Sequence, residues 1–150
     1  DTAEFLQQNG KINNMLNNKI AEKKQWWEIA TGTTSRISGE RVQSSGSQQK
    51  MADAMDRAID IEAEINAQIE ALFRTRRDIL SVIEQLNATE YDVLHKVYVQ
   101  FLTLQEVADW YKNSYSWATT IHGHAIAHVQ KILEARQAES KKRVASRAKM

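Results

Sequence analysis

Residues 103–129 read TLQEVADWYKNSYSWATTIHGHAIAHV, and this stretch decides the fold that we expect for the chain. Thr103 stands three residues before Glu106, which is the spacing of a capping box. The apolar residues that follow recur at intervals of three and four, as on one face of a helix. They are Leu104, Val107, Ala108 and Tyr111. The pattern predicts a short helix that begins at Thr103.

A second helix is predicted from about Tyr115, after the polar run 112–114 and with Ser114 as its N-cap. Its expected buried stripe consists of Ala118, Ile121, Ala125, Ile126 and Val129. Small Ala108 and Ala118 would let the two helices approach closely. Two short helices joined by a turn of three or four residues are the pattern of a helix-turn-helix.

The stretch resembles region 4 of bacterial sigma factors. It aligns without gaps over residues 103–129 and shares the pattern T-L-x-E-V…I…A at Thr103, Leu104, Glu106, Val107, Ile121 and Ala125. The resemblance implies that residues at the start of the second helix meet base edges of double-stranded DNA, and the aligned positions are Tyr115, Ser116, Thr119 and Thr120. Serine and threonine hydroxyls can contact several bases, so they discriminate modestly. For Trp117, packing and contact with DNA or a partner both remain open.

Three histidines follow, at positions 122, 124 and 128. His124 and His128 are four residues apart, which suits two ligands of a metal on one helix face, but no cysteine or nearby acidic residue offers a third. We therefore expect no metal. The alternative is a partly protonated surface that faces phosphate and binds DNA more strongly below about pH 6.5, with His122 and His124 in contact with DNA.

The charge of the chain is unevenly distributed. Residues 134–150 carry a net charge of +4 although the whole chain carries +1. The basic residues expected at phosphate are Lys141, Lys142 and Arg143, together with Lys131 ahead of the tail. A solvated helix end is the other interpretation of this tail. Residues 103–133 contain only Lys112 and Lys131 against Glu106 and Asp109, so the recognition helix is nearly neutral.

Composition excludes several classes of protein. The chain has no cysteine, so it has no disulfide framework and no thiol chemistry. The many carboxylates of residues 53–64 have the spacing of the outer face of a helix, and no Gly-rich phosphate loop is present, so we expect neither catalysis nor a cofactor. No apolar run reaches membrane-spanning length. We expect a protein without membrane contact in the cytoplasm of its host.

The N-terminal part reads as a long helical hairpin. Residues 2–30 form one predicted helix, residues 31–49 a Ser/Gly-rich loop, and residues 50–87 the longest helix. The seam of the long helix alternates spacings of three and four, as in a coiled coil. Since the first helix is shorter, another subunit or the C-terminal domain must cover the remainder. We expect a homodimer held by Met55, Ile65, Ile69, Leu72, Ile79 and Ile83.

A further helix should begin after Asn87, with Thr89 as its N-cap and Val93, Leu94, Val97, Tyr98 and Phe101 on its inner face. The predicted fold is thus all-α: a helical hairpin over residues 1–87, a sigma-region-4-like helix-turn-helix domain over 88–133 and a basic tail over 134–150.

Nearly the whole chain also resembles the phage late transcriptional regulators of the ArpU and RinA type. The matching strings are GERVQSSGS at 39–47, KMADA at 50–54, YDVLHKVYVQF at 91–101, SYSW at 114–117 and IHGHA at 121–125. The resemblance implies a phage or prophage activator of late genes that binds promoter DNA and works with host RNA polymerase. The alternative is an interaction module that contacts RNA polymerase or another phage protein without sequence-specific reading of DNA.

Overall fold

The computed structural model describes residues 1–32 and 45–149, and all regular secondary structure in these residues is helical. The elements are α1 (Thr2–Thr31), α2 (Ser45–Ile83), α3 (Ala88–Leu94), a π-helical segment (His95–Val99), α4 (Leu104–Trp110) and α5 (Tyr115–Ala148). The all-α prediction is confirmed. Within the described residues, no helix combines the length and apolarity needed to cross a membrane.

The two long N-terminal helices begin and end close to the predicted limits. Helix α1 matches the prediction within one residue at its C-terminal end. Helix α2 begins at Ser45, five residues early, so the last part of the predicted Ser/Gly-rich loop belongs to it. Most of that loop lies outside the described residues. Helix α2 also ends at Ile83 and not at residue 87.

Contacts divide the chain into two compact units, residues 12–73 and residues 1–11 with 74–150. In the unit of residues 12–73, α1 and α2 run antiparallel, because Lys19 pairs with Glu64 at 3.0 Å and Glu22 with Arg57 at 3.4 Å. Its core consists of Leu16, Ile61, Ile65 and Leu72, with Ile12, Trp26 and Ile69 packed against it. Of the adjacent tryptophans, Trp26 packs on this core and Trp27 is half exposed.

The other unit has a core to which four helices contribute. Its fully buried members are Leu6 of α1, Ile79, Val82 and Ile83 of α2, Leu94 of α3, and Ala125 and Val129 of α5. Helices α3 and α5 therefore cover the C-terminal end of the apolar seam of α2, which the shorter α1 was not expected to reach. Whether residues 88–133 fold as a domain on their own stays a prediction.

The seam proposed for a dimer lies inside the single chain. Ile65, Leu72, Ile79 and Ile83 are buried, and Met55 and Ile69 are partly buried. The coiled-coil spacing correctly marks the apolar side of α2, but α1, α3 and α5 of the same chain occupy that side. A second copy could reach the buried residues Ile65, Leu72, Ile79 and Ile83 only by displacing those helices.

Helix α3 differs from the prediction at both ends. Its N-cap is Asn87, whose side chain accepts a hydrogen bond from the Glu90 backbone N–H at 2.9 Å, and not Thr89. At the other end the chain widens into the π-helical segment. A π-turn holds an extra residue, so it rotates the residues that follow it. Phe101, which follows the segment and was expected on the inner face, is 42% exposed with a φ of 62°, and Lys96 within the segment is buried.

Candidate nucleic-acid interface

Two caps set the limits of α4 and α5. Thr103 and Glu106 form the predicted capping box, in which the Thr103 hydroxyl oxygen accepts from the Glu106 N–H at 3.1 Å and the Glu106 carboxylate accepts from the Thr103 N–H at 3.2 Å. Ser114 caps α5 by accepting from the Trp117 N–H at 3.0 Å. Both predictions are confirmed. Each cap satisfies backbone donors that the first turn of a helix leaves free.

The turn between these helices ends α4 with a Schellman motif. The Asn113 N–H donates to the Ala108 carbonyl at 2.9 Å, and the Lys112 N–H to the Asp109 carbonyl at 3.1 Å. Lys112 has a φ of 54°, a left-handed conformation that glycine adopts without strain.

We therefore expect Lys112→Gly to raise the free energy of unfolding by about 1 kcal/mol, because a left-handed conformation strains a residue with a Cβ by about that amount. Urea unfolding of wild type and variant measures the change. Asn113→Gly, one residue later, is the control and should bring no gain. A loss of stability in Lys112→Gly would contradict the assignment of strain to this position.

Small and β-branched side chains hold the two helices together. Val107 and Ala108 of α4 and Ala118, Ala125 and Val129 of α5 are all fully buried. The two alanines allow the close approach that the sequence predicts. Ile121 and Ile126, also expected inside, are only partly buried. This packing holds the start of α5 in a defined position.

One exposed face of α5 carries four of the predicted DNA-binding residues. Ser116, Thr120, His124 and Lys131 are exposed and lie within about 80° of one another around the helix, at 100° per residue. Tyr115 is 52% exposed and begins the helix on a neighbouring face.

The remaining predicted residues of the α5 start, Trp117 and Thr119, are less exposed than the residues of that face. The Thr119 side chain is partly covered, and its hydroxyl donates to the Ser116 carbonyl at 2.8 Å. The Thr120 hydroxyl donates to the same carbonyl at 2.9 Å but remains exposed. Trp117 is partly buried, with its ring centroid 5.0 Å from that of Tyr111, so packing accounts for much of its surface.

The histidines have three different environments. The His122 Nε2 lies 2.7 Å from the Tyr98 hydroxyl, and burial lowers the pKa of His122. The His128 Nδ1 lies 2.7 Å from a carboxylate oxygen of buried Glu90. His124 is exposed. Among the residues that the structure describes, no three His, Cys, Asp or Glu side chains are grouped as a metal would require.

The burial of His122 predicts how stability depends on pH. Its folded pKa lies below the unfolded value of 6.5, so the unfolded chain takes up more protons as the pH falls through about 6.5. Burial lowers the pKa of His95 in the same way. Urea unfolding at pH 8, 6.5 and 5.5 should therefore give decreasing stability. His122→Gln should reduce this slope and leave the part due to His95; equal slopes in both proteins would refute the role of His122.

A partly buried ion pair lies close to the end of α4, and sequence analysis missed it. The Lys96 ammonium lies 2.8 Å from an Asp92 carboxylate oxygen and 4.1 Å from the centre of the Trp110 ring. Asp92 also accepts a hydrogen bond from the Tyr111 hydroxyl. Burial alone would raise the pKa of Asp92, but the hydrogen bonds from Lys96 and Tyr111 outweigh it and lower that pKa. The four-residue spacing of Asp92 and Lys96 was the available signal.

Desolvation, together with the hydrogen bond to Asp92, raises the pKa of Tyr111 to about 12, so this phenol stays protonated and keeps donating. The resulting network therefore ties the last residues of α4, directly before the turn, to α3 and the π-helical segment.

The predicted basic tail is a continuation of α5. Lys141, Lys142 and Arg143 are exposed residues of the same helix. Arg143 pairs with Glu139 at 3.2 Å, and Arg136 donates to the Ser81 hydroxyl at 2.9 Å. A helix rises about 1.5 Å per residue, so Lys141 lies about 39 Å from Tyr115 along the axis.

We compared the chain with known protein families, curated proteins and solved structures. No family model, curated protein or solved structure matches the chain.

Proposed function

We propose that this protein is a DNA-binding regulator of transcription from a phage or prophage, an activator of late genes that acts in the cytoplasm of its bacterial host. In this proposal α4 and α5 form a sigma-region-4-like helix-turn-helix, and the start of α5 enters the major groove. The observation that supports it is the capped, exposed start of α5, held against α4 by the buried pair Ala108 and Ala118.

The exposed groups at this end suit the edges of base pairs. The Ser116 hydroxyl can donate or accept. The Thr120 hydroxyl donates to the Ser116 carbonyl, so its free lone pairs suit the amino groups of adenine or cytosine. The Tyr115 ring can contact a thymine methyl group or a phosphate. These are adaptable contacts, and moderate discrimination between sequences is expected.

Affinity must come partly from elsewhere, because Lys131 is the one cation on the exposed face over the described residues 116–131 of α5. Specific protein–DNA complexes depend heavily on phosphate neutralisation. The basic end of α5 is an obvious source, but its distance from Tyr115 limits how it can act. The major groove is only about 12 Å wide and 8.5 Å deep, so a straight helix leaves it within a few turns. With the start of α5 in the groove, Lys141 would lie away from that part of a straight duplex.

Selection of bound sequences from a random duplex pool tests whether the protein recognises a DNA sequence. Anisotropy titrations then compare the selected duplex with a scrambled control at two salt concentrations. We expect one enriched motif whose binding falls in Ser116→Ala with Thr120→Ala. Motif-free binding that disappears with salt, or with removal of residues 134–150, would leave only a basic arm and contradict the proposal.

A second candidate function is an interaction module that contacts RNA polymerase or another phage protein without reading DNA. The near-neutral face of α5 and the separation of the basic end from it favour this alternative. Absence of binding to any duplex in the selection, with retention of host RNA polymerase on the immobilised protein, would support it. Duplex binding that depends on Ser116 would exclude it.

A further inference from the structure

The two sides of the hairpin in residues 12–73 differ in chemistry. One side is a network of ion pairs: Lys19 with Glu64 at 3.0 Å, and Arg57 with Glu22 at 3.4 Å and with Glu64 at 3.7 Å. These charges satisfy one another across the two helices. This side also exposes Met15 and Ile29 of α1, but its charged residues are already paired with one another.

The opposite side exposes large apolar residues. Ile59 and Phe73 of α2 are 56% and 58% exposed, and Ile20 and Trp27 of α1 are each 49% exposed. At 100° per residue, Ile59 and Phe73 lie about 140° and 180° around α2 from Glu64, and Ile20 and Trp27 lie about 160° and 140° around α1 from Glu22. They belong to the side that faces away from the ion-pair network.

These four residues form one surface, which we call the apolar face. Lys23 lies between Ile20 and Trp27 on α1 and is 3.8 Å from Glu62 of α2. Antiparallel helices with Lys23 level with Glu62 bring Trp27 level with Ala58, the residue before Ile59, and Ile20 level with Ile65. The apolar groups of α1 and α2 are thus neighbours around this single ion pair.

We propose that a second copy of this chain covers the apolar face, with the two α2 helices antiparallel about a two-fold axis at Asn66. Ile59, Asn66 and Phe73 are seven residues apart, the repeat of a helix–helix seam. Under this symmetry Ile59 contacts Phe73 of the partner subunit, and the two-fold axis repeats this contact once. Exposed Asn66 contacts Asn66 of the partner subunit on the axis. A lone asparagine in such a seam fixes its register.

The size of the apolar face agrees with a dimer of modest stability. Aromatic side chains bury about 150–250 Å² each, so two half-exposed aromatic and two half-exposed isoleucine side chains supply on the order of 400 Å² of apolar surface per copy. Since about 56–65% of an interface is apolar, the full interface would reach about 600–700 Å² per partner, near the lower end of stable dimers. The pairing places Glu70 level with Glu62 of the partner subunit. The positive charge of Lys23, which lies beside Glu62, offsets the repulsion between these two carboxylates.

This inference depends on the hairpin alone, so it stands or falls separately from DNA binding. Sedimentation equilibrium of the full chain from 1 to 200 µM should give dimers with a dissociation constant on the order of micromolar. Ile59→Glu with Phe73→Glu should weaken association at least 10-fold, because it buries four carboxylates per dimer. Met15→Glu is the matched control, since Met15 is 50% exposed but lies on α1 about 140° from Ile20. It should leave association unchanged.

A cysteine scan tests the register without disturbing the apolar groups, because the chain has no native cysteine. Asn66→Cys should form a disulfide-linked dimer under mild oxidation, since a disulfide needs Cα atoms within about 7 Å. Ala67→Cys, one residue further around the helix, should not. A protein that stays monomeric at 200 µM, equal cross-linking of the two variants, or dimers unaffected by the double glutamate variant would overturn the proposal.

Discussion

Asp92→Ala should lower the free energy of unfolding by about 3 kcal/mol, the largest effect that we expect from a single substitution outside the apolar core. Removal of one partner of a buried ion pair costs about 3–5 kcal/mol, because the other charge stays buried without compensation. The Lys96 side chain is 10% exposed and that of Asp92 30%, which places the pair at the lower end of that range. The substitution also removes the acceptor of the Tyr111 hydroxyl.

Urea unfolding monitored by tryptophan fluorescence measures this effect, and two further variants separate its parts. Asp92→Asn keeps an acceptor and should cost less. Lys96→Met combined with Asp92→Ala should recover much of the loss, because no charge is then left unpaired. A loss below about 1 kcal/mol in Asp92→Ala would mean that water solvates Lys96 well enough to replace the carboxylate.

The contribution of Asp92 should disappear in acid. Its folded pKa is lowered from 3.8, so the stabilisation is complete above that value and is lost as the pH falls through the folded pKa. The stability difference between wild type and Asp92→Ala should accordingly be constant from pH 6 to 8 and shrink below about pH 4.

Ser116→Glu should weaken duplex binding by at least 10-fold while leaving the fold intact. Ser116 is exposed in the first turn of α5, where a carboxylate interacts favourably with the helix dipole, so stability should not fall. In a DNA complex the same carboxylate would face phosphates or base acceptors. Like charges placed together across an interface cost several kcal/mol.

Anisotropy titration on the selected duplex measures this loss, and Gln25→Glu is the charge-matched control. Gln25 is an exposed residue of α1 in the other compact unit, and its substitution adds the same negative charge. Equal weakening by both variants would indicate a general charge effect. Unchanged binding by Ser116→Glu would mean that the start of α5 does not enter the groove.

Local signals of the chain predicted much of the fold. The start of α4 at Thr103 and of α5 at Ser114 followed from side chains that satisfy backbone donors within three residues, which needs no tertiary contact. The 30-residue α1 followed from periodicity and the lack of proline. The same reasoning chose Thr89 over Asn87 as an N-cap, because two capping residues stood close together and only geometry could separate them.

Features that depend on distant residues were not predictable in this way. A lysine side chain is typical of a protein surface, yet Lys96 is buried in contact with both Asp92 and Trp110. Thr119 and His122 read as contact residues beside Thr120, yet neither shares its exposed face, and His122 lies against Tyr98. Such outcomes depend on which side of each helix the rest of the chain covers.

The sequence by itself therefore determined the helical class, most helix limits and the two caps of α4 and α5, since hydrophobic period and capping are local. Only the tertiary structure decided which apolar side of α2 is filled by its own chain and which stays open. It also decided which polar residues of α5 remain exposed. The physical reason is that burial is shared among elements far apart in the chain, and a helix with two apolar sides does not specify which one its own chain will cover.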